Sequence, residues 1–268
     1  MPPTPPPAPT TAAPTSLTGT LTSGVPCGLA MAYKSARDLF LKQNPGVKTT
    51  EHIVNIGPLT RELRDGKVTL DLFFSLGDEE IKTLTKAGKL QGEATPFLRQ
   101  AMQLMVRKGN PLGIKQVADL GKAEVKTVAI CVPERTLGRA AEQALKAAGV
   151  WDKLDQGKKL IRLDQPMQTK ELVFTGKADA TFIYAACATE GFKAADPERA
   201  VLGKAEVATT VPESSYDPMF AIVAIPSNAP NPELARQFIQ FLLTPEAQQA
   251  MAKLGYGEMK TDAAAAKP

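Results

Sequence analysis

Histidine is almost missing from this chain of 268 residues, which contains only one, His52. A cysteine nucleophile needs a general base within hydrogen-bond reach, and His52 falls in an early predicted strand, away from the strand ends. The motifs HExxH, GxSxG and GxxxxGK[ST] do not occur either. These absences disfavour an enzyme, and they leave a cysteine nucleophile on an α/β fold as the enzyme alternative.

The chain also lacks a run of eighteen apolar residues, so the sequence predicts no membrane-spanning helix. Its formal net charge is only +4, and no basic run is interleaved with aromatic residues, which disfavours a nucleic-acid partner. Residues 1–16 carry no charge and are rich in Pro, Ala and Thr, which predicts an extended linker without the basic start of a signal peptide. Residues 259–268 are predicted to form a second disordered tail.

The remaining sequence alternates between helix and strand patterns, which indicates an α/β fold. One helix-like stretch ends at Gly66 before a strand at 70–74, and another ends at Gly176 before a strand at 180–184. The step from Gly66 to Phe74 equals the step from Gly176 to Tyr184, which suggests two lobes of similar build. Because ligands of open α/β sheets lie beyond the carboxyl ends of the strands, Tyr184 is a candidate ligand residue, and Cys187 follows it closely.

Other segments extend this alternation. Helix starts follow Gly28, Gly57 and Thr136, and the backbone N–H groups at such starts attract anions. A short strand is predicted at 17–21, and loops are predicted at 22–28 and 55–58. The further predicted strands cover 47–54, 101–107, 125–130, 209–211 and 220–225, and the further helices cover 29–43, 78–86 and 137–148 and begin at Pro232 and Pro245.

Four stretches in order carry a family resemblance: FLKQNPGV at 40–47, RKGNPLGIK at 107–115, GKADATFIY at 176–184 and FLLTPEAQ at 241–248. Together they resemble the extracytoplasmic solute-binding proteins of ABC importers, in particular the molybdate-binding type. The resemblance implies a two-lobed α/β fold like that of periplasmic binding proteins, with a ligand cleft between the lobes. It places lobe 1 at 17–105 plus 214–258 and lobe 2 at 106–213, with crossings near 101–107 and 211–219.

The resemblance also implies partners and a location. The expected partners are a small inorganic ligand and a membrane permease of an ABC importer, and the protein is expected to be a monomer without a resident cofactor. The expected location is periplasmic or otherwise extracytoplasmic, and the linker at 1–16 is a candidate tether.

The implied binding loops cover residues 24–29, 55–59, 131–138, 165–167 and 184–187. Family members hold an oxyanion with a serine hydroxyl on each of the first two loops, but Gly28 and Ile56 occupy those positions here. Tyr184 matches the family tyrosine. The candidate ligand-binding residues are Cys27, Gly28, Ile56, Gly57, Thr136, Pro166 and Tyr184.

All three cysteines of the chain fall in or beside these loops: Cys27, Cys131 and Cys187. They fit three interpretations, which are small buried apolar residues, a disulfide between Cys131 and Cys187, or a three-thiolate site for a soft metal or metalloid. The ligand hypotheses are therefore a soft metal or metalloid held by the three thiolates, and molybdate, tungstate or another tetrahedral oxyanion.

Overall fold

The computed structural model describes residues 17–185, 187, 205–254, 256–257 and 259, which form two five-stranded sheets with helices packed on them. The first part of the chain contains β1 (Thr18–Pro26), α1 (Ala30–Gln43), β2 (Gly46–Val54), α2 (Ile56–Arg64), β3 (Leu72–Ser75), α3 (Asp78–Lys86) and β4 (Leu90–Gln100). The middle part contains β5 (Met102–Arg107), β6 (Val128–Cys131), α4 (Thr136–Ala147), α5 (Trp151–Gln156), β7 (Leu160–Leu163), α6 (Pro166–Phe174), β8 (Ala180–Tyr184) and β9 (Ala205–Thr210). The last part contains β10 (Met219–Pro226), α7 (Pro232–Leu242) and α8 (Pro245–Ala252).

The two sheets share one strand pattern. The first has the order β2-β1-β3-β10-β4, with β1 parallel to β2 and β3, and β10 antiparallel to β3 and β4. The second has the order β7-β6-β8-β5-β9, with β6 parallel to β7 and β8, and β5 antiparallel to β8 and β9. The predicted two-lobed α/β fold is confirmed. We call the first sheet with α1–α3, α7 and α8 lobe 1, and the second sheet with α4–α6 lobe 2.

A glycine ends the helix before each of the two central strands, β3 and β8, as the sequence predicts. Gly66 has φ 71° after α2, and Gly176 has φ 73° after α6. At each site a backbone N–H beyond the glycine bonds back to the helix, from Lys67 to Glu62 and from Ala178 to Leu172. Glycine adopts this left-handed conformation without steric cost, so each helix ends sharply before its strand begins.

The core of lobe 1 is aromatic. Tyr33 and Phe40 on α1 pack against Phe238 of α7, with ring centroids 5.9 and 5.0 Å apart, and Tyr33 also meets Phe74 of β3 at 5.3 Å. The helices that begin at Pro232 and Pro245 pack on lobe 1, as predicted. Burial of these large apolar side chains supplies the main stabilisation of the lobe.

The chain crosses between the lobes twice. The first change of sheet falls between β4 and β5 at Ala101, and the second lies between β9 and β10. The crossings touch, because the backbone N–H of Met102 donates to the Tyr216 hydroxyl at 3.1 Å. The predicted division at 105/106 assigned Met102–Met105 to lobe 1, whereas β5 pairs in the second sheet from Met102 onward. The apolar run at 101–107 contains no breaker that would mark this earlier switch.

Several sequence predictions are wrong at the level of single elements. β1 continues to Pro26 where a loop is predicted at 22–28, and α2 begins at Ile56 inside the predicted loop at 55–58. The strands β4 and β7 and the helix α5 are not predicted at all. β4 contains Pro96, which marks a break in sequence but is tolerated here because β4 lies at the edge of its sheet.

The chain ends lie mostly outside the described residues, including the predicted linker at 1–16 and the tail from 260 onward. Met259, predicted as part of the tail, donates its backbone N–H to Gln248 Oε1 at 2.8 Å. Within the described residues, no helix has both the length and the apolar character needed to cross a bilayer.

Candidate functional site

The two lobes touch at three glycines of lobe 1. A Cβ atom built on Gly28 would lie 2.9 Å from the sulfur of Cys187, and one on Gly57 would lie 3.2 Å from Gln165 Nε2. A Cβ atom on Gly77 would lie 2.2 Å from Thr136 Oγ1, closer than real Cβ contacts. Lobe 2 side chains therefore rest directly on bare lobe 1 backbone, and this conformation is closed.

Between these contacts lies a small cavity of about 20 Å³. Four of the predicted ligand residues line it together: Ile56 from lobe 1, and Thr136, Pro166 and Tyr184 from lobe 2. Its lining residues are Ile56, Leu76, Glu80, Arg135, Thr136, Leu137, Gln165, Pro166 and Tyr184. This volume holds about one water molecule, so a tetrahedral oxyanion enters only if the lobes or side chains move.

The remaining predicted ligand residues lie at or beyond the rim of this cavity. Gly28 and Gly57 are not lining residues, but each lies close to a side chain that is: Leu76 for Gly28 and Gln165 for Gly57. The backbone at Gly28 is fixed by a hydrogen bond, because the Tyr256 hydroxyl donates to the Gly28 carbonyl oxygen at 2.8 Å. The side chain of Cys27 is exposed and does not line the cavity.

Tyr184 ends β8 and is buried, as its place at the end of a central strand predicts. Burial raises the pKa of its hydroxyl well above the usual value of 10, and the nearby charge of Glu80 adds to this rise. The hydroxyl therefore stays protonated at any physiological pH. A neutral O–H group can donate a hydrogen bond to an anion in the cavity.

Two helices begin at the cavity with uncapped N–H groups. α2 starts at Ile56 and α4 starts at Thr136, and neither N-cap residue, Asn55 or Arg135, makes a side-chain hydrogen bond to its helix. The backbone N–H groups of a first helical turn carry partial positive charge and point out of the helix. Each lobe therefore directs one uncapped helix start toward the cavity.

Glu80 and Arg135 are cavity residues that the sequence did not single out. The Arg135 guanidinium donates to Glu80 Oε1 at 2.9 Å and to Asp164 Oδ1 at 2.7 Å, and Ser75 Oγ lies 3.1 Å from Glu80 Oε2. Burial raises the pKa of Glu80 above its usual 4.5, although Arg135 and Ser75 partly offset the rise. The run Asp78-Glu79-Glu80 has the ordinary composition of a helix start, and only the helical spacing of Glu80 with the buried Leu84 marks its inward position.

The other two carboxylates of α3 bind the first turns of α4. Asp78 Oδ1 accepts from Thr136 Oγ1 and from Arg139 Nη2, both at 2.7 Å, and Glu79 Oε1 accepts from Arg139 Nη1 at 2.6 Å. Partial burial alone would raise the pKa of Asp78, but the hydrogen bonds from Lys82 and Thr136 and the charge of Arg139 lower it to about 2. All three carboxylates at the start of α3 thus contact lobe 2.

A larger cavity of about 300 Å³ lies beside these ion pairs, between α3, α4 and β10. Its polar lining side chains bond to one another: Arg139 donates to Asp78, and the Gln143 amide donates to Asp217 at 2.7 Å. Its lining also includes the apolar residues Met219, Phe220 and Ile222. The small cavity, which collects the predicted ligand residues, is the candidate site.

The cysteines do not form a metal site in this conformation. No three His, Cys, Asp or Glu side chains of the described residues, which include all three cysteines, are grouped so that they could hold a metal ion. Cys131 is a free thiol, so its predicted disulfide with Cys187 is not formed. Burial raises the pKa of Cys131 to about 12, which opposes the thiolate form that metals bind. The three-thiolate site stays a prediction.

Comparison with known proteins gives a family match over most of the chain. The family model described as bacterial extracellular solute-binding protein matches residues 21–257. The molybdate-binding protein ModA of Mycobacterium bovis is 25% identical over 257 residues, which cover 94% of this chain and 90% of that protein.

Solved structures share the fold at lower identity. The periplasmic molybdate-binding protein of Azotobacter vinelandii superposes with a TM-score of 0.66 at 18% identity, covering 90% of this chain and 100% of that one. The sulfate-binding protein SubI of Mycobacterium tuberculosis superposes with a TM-score of 0.69 at 17% identity, covering 92% and 89%. These likenesses confirm the expected fold.

Proposed function

The chain belongs to the bacterial extracellular solute-binding protein family, and we propose that it captures a small tetrahedral oxyanion of the molybdate class in the cleft between its lobes. The observation that carries this proposal is the convergence of Tyr184, Arg135 and two uncapped helix starts on one interlobe cavity. Family members bind solutes, so the chain is a binding protein and not an enzyme.

The donors of the cavity fit an oxyanion because each can give a hydrogen bond to oxygen. The α2 and α4 starts supply backbone N–H groups from opposite lobes, Tyr184 supplies a neutral O–H, and Arg135 supplies a charge. These groups take the place of the serine hydroxyls that the family resemblance implies and that Gly28 and Ile56 lack. An ion that needs donors from both lobes binds best when the lobes are closed, which couples binding to hinge motion.

The soft-ligand alternative has one observation in its favour. The sulfur of Cys187 faces Gly28 across the closed cleft, so a lobe 2 thiol lies near the lobe 1 loop that contains Cys27. The burial and raised pKa of Cys131 weigh against a third thiolate there. We therefore rank the oxyanion first.

The relatives also inform the partner and the location. We infer that the protein is a monomer outside the cytoplasm, and that it delivers its ligand to the permease of an ABC importer. A solved relative that shares the fold is described as the substrate-binding domain of a putative molybdenum ABC transporter. The linker at 1–16 is proposed as a tether.

A thermal-shift and calorimetry panel under reducing conditions tests the ligand. The probes are molybdate, tungstate and sulfate against arsenite, Cu(I) and Zn(II). We expect molybdate or a related oxyanion to raise Tm with ligand concentration, because a ligand that binds only the folded state stabilises it by mass action. No shift with any oxyanion would overturn the proposal.

Tyr184→Phe is the matching variant. Removal of one hydroxyl that donates to an anion costs about 1.5–3 kcal/mol, so we expect Kd to rise roughly ten- to hundredfold. Tyr33→Phe is its control, because Tyr33 is equally buried but lies in the aromatic core of lobe 1. If both variants bind with the wild-type Kd, Tyr184 does not contact the ligand.

A further inference from the structure

We propose that Glu80 is a specificity-determining residue of the cleft, whose carboxyl group shares one proton with a bound oxyanion. A fully ionised dianion such as molybdate then takes up a proton from solution when it binds. An oxyanion that already carries an O–H group, such as hydrogenphosphate, supplies the proton itself. This inference rests on the proposed function and goes beyond it by naming the protonation state that the site selects.

Geometry places Glu80 inside the site. The residue is 6% exposed, and it lines the same small cavity as Tyr184 and Thr136. Its Oε1 accepts from Arg135 Nη1 at 2.9 Å, so the arginine that would attract an anion is already engaged by an internal carboxylate. With a cavity of only about 20 Å³, any bound oxyanion must lie against this carboxyl group or displace it.

A carboxylate and a dianion cannot satisfy each other. Both offer only hydrogen-bond acceptors, and two like charges at short range in a buried site strongly disfavour ionisation of both. A single proton between them removes one charge and provides one donor. The bound state therefore contains one proton more than an ionised Glu80 and a free dianion contain together.

The other titratable and charged groups near Glu80 and its cavity neighbours are Asp78 and Glu79 on α3, Arg135 and Asp164 at the starts of α4 and α6, Arg61 on α2 near Asp164, Tyr184 at the end of β8, and Cys131 and Cys187 near Tyr184. Three of these groups have pKa values far from neutral pH. Burial raises the pKa of Tyr184 well above 10 and that of Cys131 to about 12, and the pKa of Asp78 is lowered to about 2. Glu80 differs because burial moves its pKa upward, toward neutral pH.

Isothermal titration calorimetry with molybdate tests the inference. Measured in buffers of different ionisation enthalpy at pH 7.5, the wild-type protein should take up about one proton for each molybdate bound. Its Kd should rise about tenfold for each pH unit above neutrality, because one proton is linked to binding. Hydrogenphosphate should bind with little proton uptake.

Glu80→Gln should abolish the proton uptake and bind molybdate at pH 8 at least about tenfold more tightly than wild type, since the like charge is gone. Glu142→Gln is the matched control, because Glu142 lies on α4 and bonds to Lys146 on the same helix. That variant should keep the wild-type uptake and Kd.

The outcomes separate this inference from the proposed function. Molybdate binding without proton uptake by the wild type, or equal uptake by wild type and Glu80→Gln, overturns the role of Glu80 and leaves the oxyanion site standing. Uptake that disappears in Cys187→Ser but persists in Glu80→Gln overturns it as well. If neither wild type nor Glu80→Gln binds molybdate, sulfate or hydrogenphosphate, the proposed function fails, and this inference fails with it.

Discussion

The two faces of the cleft differ in what they present. Lobe 1 offers backbone, with Gly28, Gly57 and Gly77 at the points of contact, whereas lobe 2 offers the side chains that rest on them. Those side chains are Cys187, Gln165 and Thr136. Because glycine has no Cβ, the side chains of lobe 2 approach the lobe 1 backbone directly at these three points.

Helix α3 is the exception on the lobe 1 face. Its first turn carries Asp78, Glu79 and Glu80, and all three bond to arginines or to Thr136 of lobe 2. The same closed conformation is thus held by bare backbone at three points and by charge at one helix start. In this conformation Glu80 also lines the cavity that we propose as the anion site.

Gly77→Ala should have the largest effect on the contact between the two faces. Gly77 has an extended backbone, φ −172°, which alanine adopts freely, so the effect comes from the added Cβ against Thr136. Overpacking of this kind costs about 1–3 kcal/mol, and if only the closed form suffers, Kd for molybdate rises about 5- to 150-fold. Calorimetry measures the affinity, and small-angle scattering should show a larger radius of gyration.

The double variant Gly77→Ala with Thr136→Gly serves as the control for this steric explanation, because it removes the side-chain atoms that the new Cβ would meet. It should return the radius of gyration toward the wild-type value. An unchanged radius and affinity in the single variant would show that the lobes do not close through Gly77.

Asp78 and Glu80 of α3, two residues apart, should change the folding stability in opposite directions as the pH rises. The pKa of Asp78 is lowered to about 2, so its stabilisation is present above its usual value of 3.8 and is lost as pH falls toward 2. The pKa of Glu80 is raised, so its contribution is present below its usual value of 4.5 and is lost as pH rises.

Urea unfolding of Asp78→Asn and Glu80→Gln from pH 7 to pH 2 measures both effects. At pH 7, Asp78→Asn should be less stable than wild type and Glu80→Gln more stable, and both differences should shrink as pH falls. If both variants change stability in the same direction at pH 7, the two carboxylates do not differ in environment as described.

Much of the fold is predictable because its signals are local. The helix caps at Gly66 and Gly176, the apolar face of α1 and the buried strand that ends at Tyr184 depend on residues close in sequence. The family resemblance predicts Ile56, Thr136 and Pro166 as ligand residues, and in the structure they line one cavity together with Tyr184.

The rest depends on contacts between distant segments. A glutamate at a helix start is ordinary, and only the position of α3 against Arg135 turns Glu80 into a cavity residue. The change of sheet at Ala101 depends on pairing partners far along the chain. The strand β4 contains Gly92 and Pro96, so its residues do not show a strand pattern in the sequence. Likewise, Cys27 and Cys131 are both predicted in loops between a strand and a helix, yet Cys27 is exposed and Cys131 is buried.

The smallest effect on ligand binding is expected from substitution of Cys27, the thiol on the lobe 1 face. Cys27 is exposed on lobe 1, outside the cavity, and an exposed substitution usually changes free energy by less than about 0.5 kcal/mol. Cys27→Ser should therefore bind molybdate within about twofold of wild type, and Zn(II) should shift the Tm of both proteins equally. A Zn(II)-induced rise in Tm that wild type shows and Cys27→Ser loses would contradict this expectation, because only a site built from thiolates of both lobes depends on Cys27. That result would move the ligand of the cleft from the oxyanion class to the soft metals.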